Sequence, residues 1–224
     1  MDDGSPDVKT SLEMLKRFAA QNVDTVFATP HFYPSDESPE RFLSRREKSY
    51  AKLNARRRGG NIKPEILLGA EVQCFPGMAN AEAIDALCIQ GTRLILVEMP
   101  FCPWSPWILT EIAGLQERGM HPVLAHINRY PAFRQDDLLR ELCKSGVCLQ
   151  INAEAFRGFF SARRASRLII EECVQLIGSD CHNLTSRPPD LSRAAETLMK
   201  KYGQTAWTDF VHRGDRLLQC ERNA

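Results

Sequence analysis

Five short apolar runs, each ending in an acid or a histidine, constrain this chain more than any other feature. They are VDTVFATPH, PEILLGAE, TRLILVE, HPVLAH and VQLIGSDCH. At or near their ends stand His31, Glu71, Glu98, His126, Asp180 and His182. Each run is short, rich in β-branched residues and apolar on both faces, as expected of strands buried from two sides. Polar residues gathered at the carboxyl ends of successive parallel strands mark an α/β metal site better than they mark a core.

Between the runs the pattern turns helical. Residues 6–21 read as a helix, with Leu12, Leu15, Phe18 and Ala19 at helical spacing and Pro6 and Asp7 at its start. Residues 40–58 read as a charged helix with Phe42, Leu43, Tyr50 and Leu53 facing inward. A short helix is expected over 80–90, and longer ones over 106–119, 134–146, 160–172, 189–202 and 204–219. GVCLQINAE adds a sixth strand, and Gly146 stops the helix before it. This is the rhythm of a parallel α/β protein, read as one domain over 1–224. Rhythm alone fits a doubly wound sheet or a barrel. The spread of polar tips favours the barrel, because a barrel brings many strand ends round one mouth.

Composition excludes several classes. Twenty-nine basic and 28 acidic residues give a net charge of +1, which offers no nucleic-acid platform. The short run Arg56, Arg57 and Arg58 reads as a solvated helix end. No apolar run approaches the roughly 20 residues that span a bilayer, and Met1 leads directly into acidic residues without a signal peptide. Eight cysteines form no CxxC pair and read as free thiols of a reducing, cytoplasmic compartment. Nucleotide cradles of the GxxxxGK[ST] or GxGxxG type are absent. So is a nucleophile elbow, and although Cys181 and Arg187 have CxxxxxR spacing, the run between them lacks the glycine-rich anion cradle that a cysteine phosphatase needs.

Carboxylate and imidazole donors without a thiolate cluster suit manganese, iron or catalytic zinc. Glu71 and Glu98 could bridge two ions that share a hydroxide, an arrangement fit for phosphoester hydrolysis. Asp180 and His182, two apart on an extended segment, are expected to point the same way and reach one ion. Arg129 and Arg187 are candidates to clamp phosphate oxygens, or else surface salt-bridge residues. Trp104 and Trp107 either line a pocket or pack on the barrel wall beside Glu98, with the structural reading ahead. The Pro- and Trp-rich segment is also compatible with a homo-oligomer contact.

At this point the chain resembles the PHP-type bacterial protein-tyrosine phosphatases of capsule and exopolysaccharide operons, the CpsB/CapC/YwqE group. The matching runs are MDDGS at 1–5, ATPH at 28–31, GAEV at 69–72, LVEMP at 96–100, AHINRYP at 125–131, QIN at 150–152 and GSDCHN at 178–183 with RPP at 187–189. The resemblance implies a distorted (β/α)7 PHP barrel, TIM-barrel-like, with up to three divalent metals, typically manganese. It assigns His31, Glu71, Glu98, His126, Asp180 and His182 to metal positions and Arg129 and Arg187 to the phosphate. The implied substrate is the phosphotyrosine tail of a cognate bacterial tyrosine kinase that controls polysaccharide synthesis. The implied reaction is direct hydrolysis by metal-activated water.

Three departures stand out. The family's HxH pair and its strand lie upstream of the DDG run, where this sequence begins, so a barrel without its first strand and with fewer metals is expected. Met1 is then either an internal methionine of a longer enzyme, the favoured account, or the start of a short product of reduced activity. Asn128 replaces a common acid, and Cys181 stands where a small residue is usual, as packing or as an oxidation-sensitive thiol. The alternatives are another PHP phosphoesterase such as a histidinol phosphatase, or an inactive phosphotyrosine-binding regulator.

Overall fold

The computed structural model describes residues 1–57 and 63–223, so Arg58 of the arginine run lies outside the described residues. Eight parallel strands form: β1 (Thr25–Ala28), β2 (His31–Phe32), β3 (Glu65–Leu68), β4 (Glu71–Gln73), β5 (Leu94–Glu98), β6 (His121–Leu124), β7 (Cys148–Asn152) and β8 (Leu176–Gly178). β1 pairs with β3, and the remaining strands run in the order β2-β4-β5-β6-β7-β8. The two sheets share one frame. Gly69 N–H donates to Ala28 O, and Glu71 N–H donates to Pro30 O, both at 3.0 Å, across the breaks that divide the first two runs. Pro30 has no N–H to offer a ladder, which breaks the first run there. Six strand runs therefore appear as six were read, two of them interrupted.

No strand is inserted out of sequence after β4, so the sheet curls in one direction as in a barrel, without the order reversal of a doubly wound sheet. No pairing of β8 with β1 or β2 is found among the described residues, and the sheet is an incompletely closed half-barrel. Its two faces carry different cores. Ile95 and Val97 of β5 face outward into the layer shared with the helices. The alternate residues Leu94 and Leu96 face inward with Phe27, Leu67, Val123, Cys148 and Leu176.

Seven helices complete the described chain: α1 (Val8–Ala19), α2 (Pro39–Arg57), α3 (Pro106–Glu117), α4 (Asp136–Lys144), α5 (Phe159–Ile170), α6 (Ser192–Tyr202) and α7 (Gln204–Asn223). Asp7 caps α1 by accepting Thr10 N–H at 2.7 Å. Phe42 of α2 is fully buried, worth roughly 1.5–3 kcal/mol of transfer free energy. Arg57 does not simply project into solvent, because its guanidinium donates to Pro64 O at 2.7 Å. In place of a helix over 80–90 there are two 3-10 turns, Met78–Asn80 and Ile84–Leu87, separated by Ala83 in the left-handed region (φ 56°). α7 closes the concave face by laying Leu217 and Leu218 against the inward-facing residues. Its buried Glu221 contacts His121 Nδ1 and accepts Arg93 N–H at 3.0 Å, pinning the helix at the ends of β5 and β6 opposite the polar tips.

Candidate metal centre and phosphate mouth

Strand register aligns the polar tips. His31 pairs with Glu71 across β2 and β4, and Gln73 pairs with Glu98 across β4 and β5. Glu71, Glu98 and His126 thereby converge, each offering a donor atom within 4.8 Å of the others. His126 Nε2 lies 2.8 Å from Glu71 Oε1 and 3.8 Å from Glu98 Oε1. Burial, and then the neighbouring Glu71 charge, push the Glu98 carboxyl above its usual range. Two carboxylates and an imidazole held together away from water leave excess negative charge, which a divalent cation offsets. The donor set fits such an ion.

A second group joins Asp3, His31 and His182. His182 Nε2 is 3.3 Å from Asp3 Oδ1, and His31 Nδ1 is 3.5 Å from the same oxygen. His31 Nδ1 also meets Asp2 Oδ2 at 3.1 Å. That hydrogen bond raises the His31 imidazole to about 9 despite its burial, with Glu71 adding to the shift. For Asp2, burial opposes ionisation, but the hydrogen bonds from His31 outweigh it and hold the carboxyl well below its usual range.

Asp180 belongs to neither three-residue group, though its Oδ1 lies 3.7 Å from His182 Nδ1 at the edge of the second. Arg129 Nη2 and Arg187 Nη2 close on its Oδ2 at 2.7 and 2.5 Å. Burial resists its ionisation, and the two guanidinium groups more than offset that, keeping the carboxyl below its ordinary range. Asp180 and His182 approach each other as expected, with Oδ1 and Nδ1 3.7 Å apart, but not by sharing a strand face. β8 ends at Gly178, and Asp180 turns left-handed at φ 50°. His126 also leaves its strand left-handed, at φ 31°. Two non-glycine residues in this sparsely populated region mark the ends of β6 and β8 as held by their surroundings.

The holding network is buried. Gln150 Oε1 accepts His126 N–H, and Gln150 Nε2 donates to Asn152 Oδ1 at 2.9 Å. Asn152 Nδ2 donates to Asp180 Oδ2 at 2.8 Å. Asn128, where an acid was the family norm, accepts Asn152 N–H at 2.8 Å and so supports the same network. Cys181 is a partly buried thiol whose pKa is pushed up by that burial, which favours packing over thiolate chemistry.

The Trp-rich segment resolves in favour of structure for Trp104, which packs edge-on against Tyr130 with centroids 5.6 Å apart. Tyr130 Oη accepts Met99 N–H at 3.0 Å, fixing the turn after β5 to the turn after β6. Trp107 is exposed at the start of α3. Two aromatic rings stack on the histidines of the centre, Tyr33 on His31 with centroids 5.6 Å apart and Phe101 on His126. Phe101 is 62% exposed, and its ring lies parallel to the His126 ring, 7° apart in plane with centroids separated by 6.4 Å. Sequence reading passed over Phe101, Asp3, Gln150 and Asn152 as site residues. The DDG and QIN runs were visible, but nothing local said where their side chains go.

The profile of a family described as capsular polysaccharide synthesis, CpsB/CapC, matches residues 1–218. The chain belongs to the CpsB/CapC family. The CapC protein of Staphylococcus aureus is 31% identical over 99% of this chain and 88% of its own length. The tyrosine-protein phosphatase YwqE of Bacillus subtilis is 28% identical over 91% of this chain and 81% of its own. The tyrosine-protein phosphatase CpsB of Streptococcus pneumoniae is also 28% identical, covering 91% of this chain and 87% of its own. A crystal structure from work on YwqE and pneumococcal CpsB, described as unique metal-dependent tyrosine phosphatases, superposes with a TM-score of 0.84. It is 25% identical, and the match covers 98% of this CpsB/CapC chain and 90% of that one. No helix among the described residues is long and apolar enough to cross a membrane.

Proposed function

We propose that this chain is a metal-dependent protein-tyrosine phosphatase that acts on the phosphotyrosine tail of a bacterial tyrosine kinase and thereby regulates capsule or exopolysaccharide synthesis. The observation that carries this reading is the convergence of Glu71 at the start of β4, Glu98 at the end of β5 and His126 after β6, beside two arginines poised on Asp180. Glu71, Glu98 and His126 would hold one divalent ion, manganese by family resemblance, and Asp3, His31 and His182 a second, with Asp180 at their edge. A metal bound there supplies Lewis acidity and activates water at neutral pH.

The chain's own groups do the rest. Arg129 and Arg187 bind and orient the phosphoryl oxygens, since each guanidinium has five N–H donors and only part of that capacity is engaged. Their positive charge stabilises the charge that develops on the phosphoryl group during attack. Asp180 aims both arginines, and the Gln150–Asn152 network fixes Asp180. Phe101 supplies an apolar face for the aryl ring of the substrate. Eight free thiols support a reducing, cytoplasmic setting.

The test is phosphate release by the manganese-loaded chain from a phosphotyrosine peptide, a phosphoserine peptide and histidinol phosphate, with a chelated control. Chelator-sensitive hydrolysis that prefers phosphotyrosine is expected. No release from the phosphotyrosine peptide, or faster turnover of histidinol phosphate, would overturn the reading.

A further inference from the structure

Beyond Asp180 the mouth continues into a pocket whose wall carries four arginines: Arg129, Arg157, Arg187 and Arg193. Two are committed. Arg129 pairs with Asp180 and with Glu154, and Arg187 pairs with Asp180. The guanidinium groups of Arg157 and Arg193 make no ion pair or hydrogen bond among the described residues. Nor do the wall's carboxylates balance them. Glu154 and Asp180 serve the first pair of arginines, which leaves the single carboxylate of Asp190, an acceptor of Ser192 N–H at 3.0 Å, against two guanidinium groups. Arg193 lies in the first turn of α6, where the partial positive charge of the helix end makes a free cation costly. Arg157 ends the 3-10 turn after β7, so the two arrive from separate segments, one following β7 and the other at the start of α6.

We propose that Arg157 and Arg193 form an anion subsite next to the reacting phosphate. It recognises a second negative group on the same peptide, a carboxylate side chain or a second phosphate close in sequence to the reacting phosphotyrosine. The proposal rests on the phosphatase reading and adds a substrate preference to it. Unpaired guanidinium groups offer charge-assisted hydrogen bonds to either kind of oxygen. The second anion does not react, so its contacts are equal in ground and transition states. They act on KM and leave kcat nearly alone.

The experiment compares the metal-loaded full chain with the double variant Arg157→Ala/Arg193→Ala on three phosphotyrosine peptides. One has neutral flanks, one flanking glutamates and one a neighbouring second phosphotyrosine. The parent is expected to favour the anionic peptides by about tenfold in kcat/KM, and the double variant to lose that preference through KM. The glutamate and bisphosphorylated arms show which anion the subsite takes. Arg157→Glu is a second variant, expected to push the preference below that of the alanine form. Retained preference in the double variant would overturn the proposal, and so would an equal loss on the neutral-flanked peptide.

If the parent hydrolyses none of them, the phosphatase reading fails by itself. Fluorescence anisotropy with phosphonomethyl-phenylalanine in place of phosphotyrosine then decides the subsite. Tighter parent binding to the anionic peptides that disappears in the double variant supports it, and equal binding overturns it.

Discussion

His126 Nε2 lies 2.8 Å from Glu71 Oε1, though 55 residues separate the two in the chain. The contact joins the first residue of β4 to the turn after β6, across β5, and brings a buried imidazole against a buried carboxylate. Glu71→Gln keeps the shape and removes the charge. Metal affinity at this centre should fall by more than tenfold, since even partners one step removed from a metal cost about 10–100-fold. Metal content after dialysis against a fixed free manganese concentration checks this. Unchanged occupancy would remove Glu71 from the ligand set.

Protonation of His31 links stability to pH with a definite sign. The folded pKa, about 9, exceeds the usual 6.5 because Asp2 accepts from the ring. In the metal-free chain the resulting stabilisation is complete below about 6.5 and is lost as pH rises through about 9. A cation that takes the same imidazole must displace that proton, so metal affinity should rise over the same window. Thermal melts of metal-free parent and His31→Ala from pH 6 to 9.5 should converge at the alkaline end, while manganese titrations of the parent tighten.

Gly178 has no room for a side chain. A Cβ there would sit 2.2 Å from Gln150 Nε2 and 3.2 Å from Gln150 Cδ. Gly178→Ala must displace Gln150, which bonds His126 N–H, Ile151 O and Asn152. We expect a loss of about 1–3 kcal/mol in stability from overpacking. A fall in kcat of about tenfold should accompany it, because Asn152 then no longer fixes Asp180. Denaturant melts and single-substrate kinetics read the two effects separately. A stable variant with parental kcat would show that the network does not position Asp180.

Phe101 tests aryl recognition. Phe101→Ala should lower the rate on an aryl phosphate relative to an alkyl phosphate by about three- to tenfold, as loss of one aromatic contact of roughly 0.5–1.5 kcal/mol implies. Equal changes on both substrates would assign Phe101 to packing on Tyr130.

The thiols should separate by accessibility in a native maleimide-labelling time course read by mass spectrometry. Cys102 and Cys220 are exposed and should label first. Cys74 and Cys148 are buried, with burial pushing their thiols up to about 12 and about 11, and should label only on unfolding. Early labelling of Cys74 would contradict the packing of the outer core.

Much of this architecture was legible in the chain because strand and helix periods are local. Short doubly apolar runs dictate buried parallel strands, and a polar residue closing each run must emerge where the strand ends. Glu98 and His126 emerge in that way, whereas His31 and Glu71 stand just past the breaks of interrupted runs and open β2 and β4. Gly146 stopped α4 by adopting φ 86°, a backbone requirement visible in one residue. Tertiary structure alone decided which tips meet. Asp180 could be read as a strand-end ligand, yet its partners are arginines on loops 51 and seven residues away, brought together by left-handed turns that no period encodes. Asp3 joins His31 and His182 because the N-terminal segment crosses the mouth, and α7 covers the concave face because the half-barrel is open there. Periodicity specifies which face of an element is apolar. Only the packing of distant segments specifies what that face, or the residue at its end, will touch.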